Sequence, residues 1–92
     1  MRFLHTMVRV RDLEQSLEFY CNKLGLVETR RVENESARFT LIFLAAAEDE
    51  AQAATTWSPL LELTYNWDSE PAFDETRTFG HLAYQVVDIY VF

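Results

Sequence analysis

Both histidines of this 92-residue sequence, His5 and His81, belong to a type that binds divalent metals, and so does the acidic residue Glu62. Two imidazoles and one carboxylate are a common ligand set for such ions. Each of the three falls in a segment with strand character, and strands hold ligand positions rigidly. The sequence therefore predicts a divalent-metal site. Taken singly, a strand histidine is more often an ordinary surface or core residue, and Glu62 alone would fit a solvated sheet face.

A second polar layer follows the candidate ligands along two of these strands. Arg9 comes four residues after His5, and Asn66 comes four residues after Glu62. At ~3.3 Å per residue, each lies about 13 Å beyond its ligand on the same strand face. Arg9 could hold a carboxylate by two parallel hydrogen bonds, with Asn66 donating and accepting beside it. The alternative is that Arg9 pairs with a nearby glutamate.

The N-terminal segment predicts a strand followed by a helix. Residues 2–10 alternate in polarity, so His5 and Arg9 share one face of a strand. Asp12 is a suitable helix N-cap, and Gly25 stands where a left-handed residue ends a helix. Between them, apolar residues recur at helical spacing and predict about three turns: Leu13, Leu17, Tyr20 and Leu24.

The rest of the sequence predicts four more strands. Two are expected at 26–32 and 37–45, joined by a turn, and others at 59–65 and 80–87. The Ala-rich, acidic stretch 46–58 has no clear period, and we expect a loop with at most one helical turn.

The segment that begins at His81 resembles the segment that begins at His5. Aligned without gaps, the two segments match His81 with His5, Val86 with Val10 and Asp88 with Asp12. We interpret this as an internal repeat. The predicted fold is α+β: a first βαβββ module at 1–66, a linker at 67–79, and the first strand of a second, incomplete module at 80–92. On this interpretation the chain is truncated within the second module.

Charge and composition exclude several classes of function. The formal net charge is −7, which argues against nucleic-acid binding. No apolar run approaches the ~20 residues of a membrane span, and the N-terminus lacks a signal-peptide core. Cys21 is the single cysteine, which fits a reducing compartment. We therefore expect a cytoplasmic protein.

Four stretches of the sequence resemble the glyoxalase I (lactoylglutathione lyase) family of the vicinal oxygen chelate superfamily. They are LHTMVRVRDLEQSLEFYCNKLGL at 4–26, FTLIFLA at 39–45, LELTYNW at 61–67 and FGHLAYQV at 79–86. The resemblance implies two βαβββ modules around a metal site, completed across a homodimer. It also implies isomerisation of the methylglyoxal–glutathione hemithioacetal to S-lactoylglutathione.

The resemblance also implies roles for individual residues. His5, Glu62 and His81 match metal ligands, and the metal would be nickel or cobalt, with zinc as another choice. Three further residues match those that hold glutathione: Arg9, Asn66 and Arg77.

The sequence departs from this family in one important respect. The family's fourth ligand, a glutamate that is also the catalytic base, belongs to the second module and would fall beyond Phe92. Glu62, its counterpart in the first module, is then the candidate base, and we expect weak metal binding with little or no isomerase activity. Two alternatives stay open. One is a non-catalytic remnant or small-molecule-binding module of the same superfamily, and the other is an Fe(II) dioxygenase-like site.

Overall fold

A computed structural model of the chain describes residues 1–68, 79–88 and 90. All strands join one sheet in the order β2-β3-β4-β1-β5. The two strands at the ends of the described chain, β1 and β5, are therefore neighbours. The five strands are β1 (Arg2–Val10), β2 (Val27–Asn34), β3 (Phe39–Ala45), β4 (Leu60–Asn66) and β5 (Phe79–Gln85).

One face of the sheet is covered by the predicted helix, which begins after Asp12. The Asp12 carboxylate accepts a hydrogen bond from the Gln15 amide at 3.0 Å, and this caps α1 (Leu13–Leu17). The second half is a π-helix (Glu18–Lys23), a difference from the expected regular helix. Gly25 ends it at φ 81°, as predicted. The core beneath it is formed by Val10, Ile42, Leu44 and Leu63.

The prediction of a loop at 46–58 is wrong for most of that stretch, which is helical. A 3₁₀ turn (Ala47–Asp49) leads into α2 (Glu50–Thr56), which lies against the opposite face of the sheet. Alanine is the best helix former, so its high local content favours a helix even without a clear hydrophobic period. The buried Ala53 packs there in a second core cluster with Phe43 and Leu60.

The strand register decides which residues meet. β1 runs parallel to β4 and antiparallel to β5, while β3 pairs antiparallel with both β2 and β4. The α+β class is thus confirmed, and the strands and helix of the expected βαβββ order are present with the additional helix α2 between β3 and β4. Asp88 accepts a hydrogen bond from the amide of Tyr90, two residues later, at 2.9 Å. The division into modules remains a prediction, since most of the expected linker lies outside the described residues. In the described part of the chain, the helices are all too short to cross a membrane.

Candidate metal centre

One position on β1 aligns the three candidate ligands. Met7 lies directly opposite Glu62 on β4 and directly opposite His81 on β5. Paired residues point to the same face of a sheet, and His5 shares that face because it lies two residues before Met7. The fold therefore brings His5, Glu62 and His81 to one side of the sheet.

The distances between the three side chains suit a single metal ion. Nε2 of His5 lies 3.1 Å from Nε2 of His81 and 3.3 Å from Oε1 of Glu62. One ligand atom from each residue can be chosen so that all three lie within 4.8 Å of one another. Ligand atoms that each bind one ion at ~2.1 Å, roughly at right angles, would be about 3 Å apart. The donor set therefore fits a divalent cation.

The carboxylate of Glu62 is buried and held on both sides. Its exposed fraction is only 7%, and the Thr64 hydroxyl donates a hydrogen bond to its Oε2 at 3.1 Å. Its other oxygen faces His5, whose ring lies edge-on to Phe43 with centroids 5.9 Å apart. The carboxylate is thus oriented before any ligand arrives.

The protonation state of His5 also favours metal binding. Burial lowers the pKa of His5 below its ordinary value; the Glu62 carboxylate opposes this shift, and His81 adds to it. The imidazole is accordingly neutral at neutral pH. A neutral imidazole is the form that binds metals.

Of the three residues predicted to bind glutathione, the structure describes Arg9 and Asn66. Arg9 is the register partner of Thr64, so it lies on the same sheet face as Glu62, one step beyond it. Asn66 is at the exposed end of β4, and both Arg9 and Asn66 already interact with other groups of the chain. Arg77 lies outside the described residues. Their roles, like those of the metal ligands, stay predictions.

Thr64 also acts on the site, although it was not among the predicted site residues. Its hydrogen bond orients the carboxylate of Glu62. The sequence signal for this contact is that Thr64 comes two residues after Glu62, on the same face of β4. A threonine at that spacing from a candidate carboxylate ligand is worth testing as its hydrogen-bond donor.

Comparisons with known proteins show which family the chain is similar to. The sequence matches the Glyoxalase/Bleomycin resistance protein/Dioxygenase superfamily over residues 2–91. It is 46% identical over 90 residues to a lactoylglutathione lyase of Neisseria meningitidis, covering 98% of this chain and 60% of that protein. A probable lactoylglutathione lyase of Synechocystis is 41% identical over 90 residues, with 98% of this chain and 63% of the relative covered.

A solved structure extends the likeness to the fold. The trypanothione-dependent glyoxalase I of Leishmania major has a TM-score of 0.57 and 32% sequence identity, covering 79% of this chain and 52% of that one. The chain spans about 60% of the length of the curated relatives it matches. With a match over residues 2–91, the chain belongs to the Glyoxalase/Bleomycin resistance protein/Dioxygenase superfamily.

Proposed function

We propose that this chain binds one divalent metal through His5, Glu62 and His81 and acts in the isomerisation of the methylglyoxal–glutathione hemithioacetal to S-lactoylglutathione. The convergence of three ligand-type side chains carries this proposal, since it occurs in a chain 46% identical to a lactoylglutathione lyase. The metal is nickel or cobalt in preference to zinc. A bound divalent metal would polarise the substrate oxygens and stabilise the enediolate.

The chain's own contribution to the chemistry is proton transfer. Glu62 takes the proton from the carbon that bears the hydroxyl and sulfur, and returns it to the neighbouring carbon. The Thr64 hydrogen bond fixes Oε2 and leaves Oε1 on the side of His5, where the substrate would lie. Glu62 is the base we propose because it is the carboxylate of the three-residue group, and its Oε1 lies 3.3 Å from Nε2 of His5.

The proposal also covers glutathione binding, assembly and location. Arg9, Asn66 and Arg77 hold the glutathione part, with Arg9 binding a carboxylate by paired hydrogen bonds. Two copies form a homodimer, which offsets the small surface that a 92-residue chain buries alone. The single cysteine supports a location in the cytoplasm.

The test is thioester formation from methylglyoxal and glutathione by the purified chain with added Ni²⁺. Metal-dependent turnover that is lost in Glu62→Gln would support both the function and the base. Normal turnover in Glu62→Gln would reject Glu62 as the base. If a full-length relative is active in the same assay and this chain is not, the chain is a non-catalytic binding module.

A further inference from the structure

A cavity of about 140 Å³ opens between α2 and the strands β2, β3 and β4, and Phe43 in its wall also contacts the ring of His5. Arg30, Phe43 and Trp57 contribute to its walls. Among the described residues that line the cavity, Arg30 alone is charged, and it gives a mostly apolar cavity one hydrogen-bond donor for an anion.

The Arg30 guanidinium lies over two aromatic rings. It lies 4.0 Å from the ring centroid of Trp57 and 4.8 Å from that of Phe43. A guanidinium held over aromatic rings can still donate hydrogen bonds from its N–H groups to a planar acceptor such as a carboxylate. Among residues 1–68, 79–88 and 90, no carboxylate pairs with Arg30, whereas the neighbouring Arg31 pairs with Glu28 at 2.8 Å.

A bulge in β2 determines the face of the sheet on which Arg30 lies. Glu28 is the register partner of Leu44, and Arg30 is the partner of Phe43, so Thr29 is an extra residue in β2. Such a bulge redirects the side chain that follows it, and it turns Arg30 toward the face that carries the metal centre. The Thr29 hydroxyl fixes this bulge by donating to the Phe43 carbonyl at 3.2 Å.

A single row of paired positions connects the cavity to the metal centre. Arg30 pairs with Phe43, and Phe43 pairs with Glu62. With neighbouring strands ~4.8 Å apart, the backbones of Arg30 and Glu62 are about 10 Å apart. An extended tripeptide covers a similar length. A ligand bound at the metal centre can therefore extend into the cavity.

We propose that Arg30, held over the rings of Phe43 and Trp57, binds a carboxylate of the ligand that occupies the metal centre. As applied to glutathione, this inference rests on the proposed function. Glutathione has two carboxylates, and Arg9 with Asn66 accounts for one of them. The carboxylate at Arg30 comes either from the glycine end of glutathione or from a separate carboxylate-bearing fragment, and the experiment distinguishes the two.

The experiment follows the two tryptophan indoles by ¹H–¹⁵N NMR with Zn²⁺ present, because zinc is diamagnetic. Trp57 reports on the cavity, and Trp67 reports on the region beside Asn66. Glutathione, its glycine ethyl ester and succinate are titrated into the wild type, Arg30→Gln and the control Arg31→Gln. We expect glutathione to shift Trp57, with affinity falling roughly tenfold in Arg30→Gln and roughly tenfold for the ester in the wild type.

Other results of these titrations would either reassign the carboxylate bound at Arg30 or overturn the inference. A Trp57 shift with succinate alone, lost in Arg30→Gln, supports the carboxylate subsite but assigns it to a fragment other than glutathione, even where the proposed function fails. A shift of Trp67 by glutathione with Trp57 unmoved by any probe overturns the inference and leaves the proposed function standing. An Arg30→Gln variant that binds every probe like the wild type also overturns it.

Discussion

Thr64 shows how one hydroxyl can influence a metal site without touching the metal. It donates to Oε2 of Glu62, so replacing it with valine removes a hydrogen bond worth about 1 kcal/mol and frees the carboxylate to rotate. We expect Thr64→Val to bind Ni²⁺ several-fold more weakly by isothermal titration calorimetry. Thr64→Ser keeps the hydroxyl and should restore the affinity. Equal weakening in both variants would show that the loss comes from packing.

Cys21 is predicted to be a slow nucleophile. Burial raises the pKa of its thiol, Glu28 adds to the shift, and Arg31 opposes it. A raised pKa means a smaller thiolate fraction at any given pH, and the thiolate is the reactive form. The reaction with a disulfide reagent should thus be slower than for free cysteine, with its pH profile displaced upward. Since the chain has one cysteine, the bulk rate reports this residue alone, and urea should restore the ordinary rate.

At the scale of elements, β5 depends on close approach to β1. A Cβ added to Gly80 would collide with the side chain of Met7 and lie 3.0 Å from its carbonyl oxygen. The side chain can move, but the backbone cannot do so without disturbing the β1–β5 ladder. We expect Gly80→Ala to destabilise the fold by about 1–3 kcal/mol and to weaken Ni²⁺ binding, because β5 carries His81.

Gly25→Ala is the matched control for this effect. A Cβ there meets nothing within 4 Å, but the residue has φ 81°, so the substitution strains the backbone by about 1 kcal/mol. Denaturant unfolding should reveal a stability loss in both variants, and calorimetry should reveal weaker metal binding only in Gly80→Ala. Weaker binding in both would mean that metal affinity simply follows global stability.

Local sequence patterns predicted the positions of the strands and of the first helix better than they predicted the type of helix. The strand from Arg2 to Val10 and the helix start at Asp12 follow directly from alternation and capping. The π-helical turn was not predictable, because the apolar residues that indicate the helix are the same for a π-helix and an α-helix over so few turns. Helix α2 was missed because its alanines give a high propensity but no amphipathic period.

At the scale of the whole molecule, the sequence indicated the metal site but not the cavity beside it. His5, Glu62 and His81 could be grouped from residue type and strand character, although their meeting depends on a parallel β1–β4 pairing that no local signal specifies. Arg30 could not be added to that group. Simple alternation puts it on the same face as Glu28, and only the bulge at Thr29 reverses this.

The metal ion should stabilise the whole sheet, because its three ligands come from β1, β4 and β5. An ion that binds only the folded chain contributes about 2.7 kcal/mol at a hundred times its Kd. For a domain of this size, that raises the Tm by roughly 10–20 °C. The rise should appear by circular dichroism with Ni²⁺ against EDTA.

The control for this stabilisation uses two exposed residues of β5. His81→Ala should abolish the rise in Tm, while Gln85→Ala should keep it, because Gln85 contacts Arg2 and lies outside the ligand set. In the described residues, β5 pairs with β1 alone, so hydrogen exchange in β5 should slow most when the metal binds. A Tm rise that survives in His81→Ala would mean that the ion is bound without β5, and that the site is only the His5–Glu62 pair.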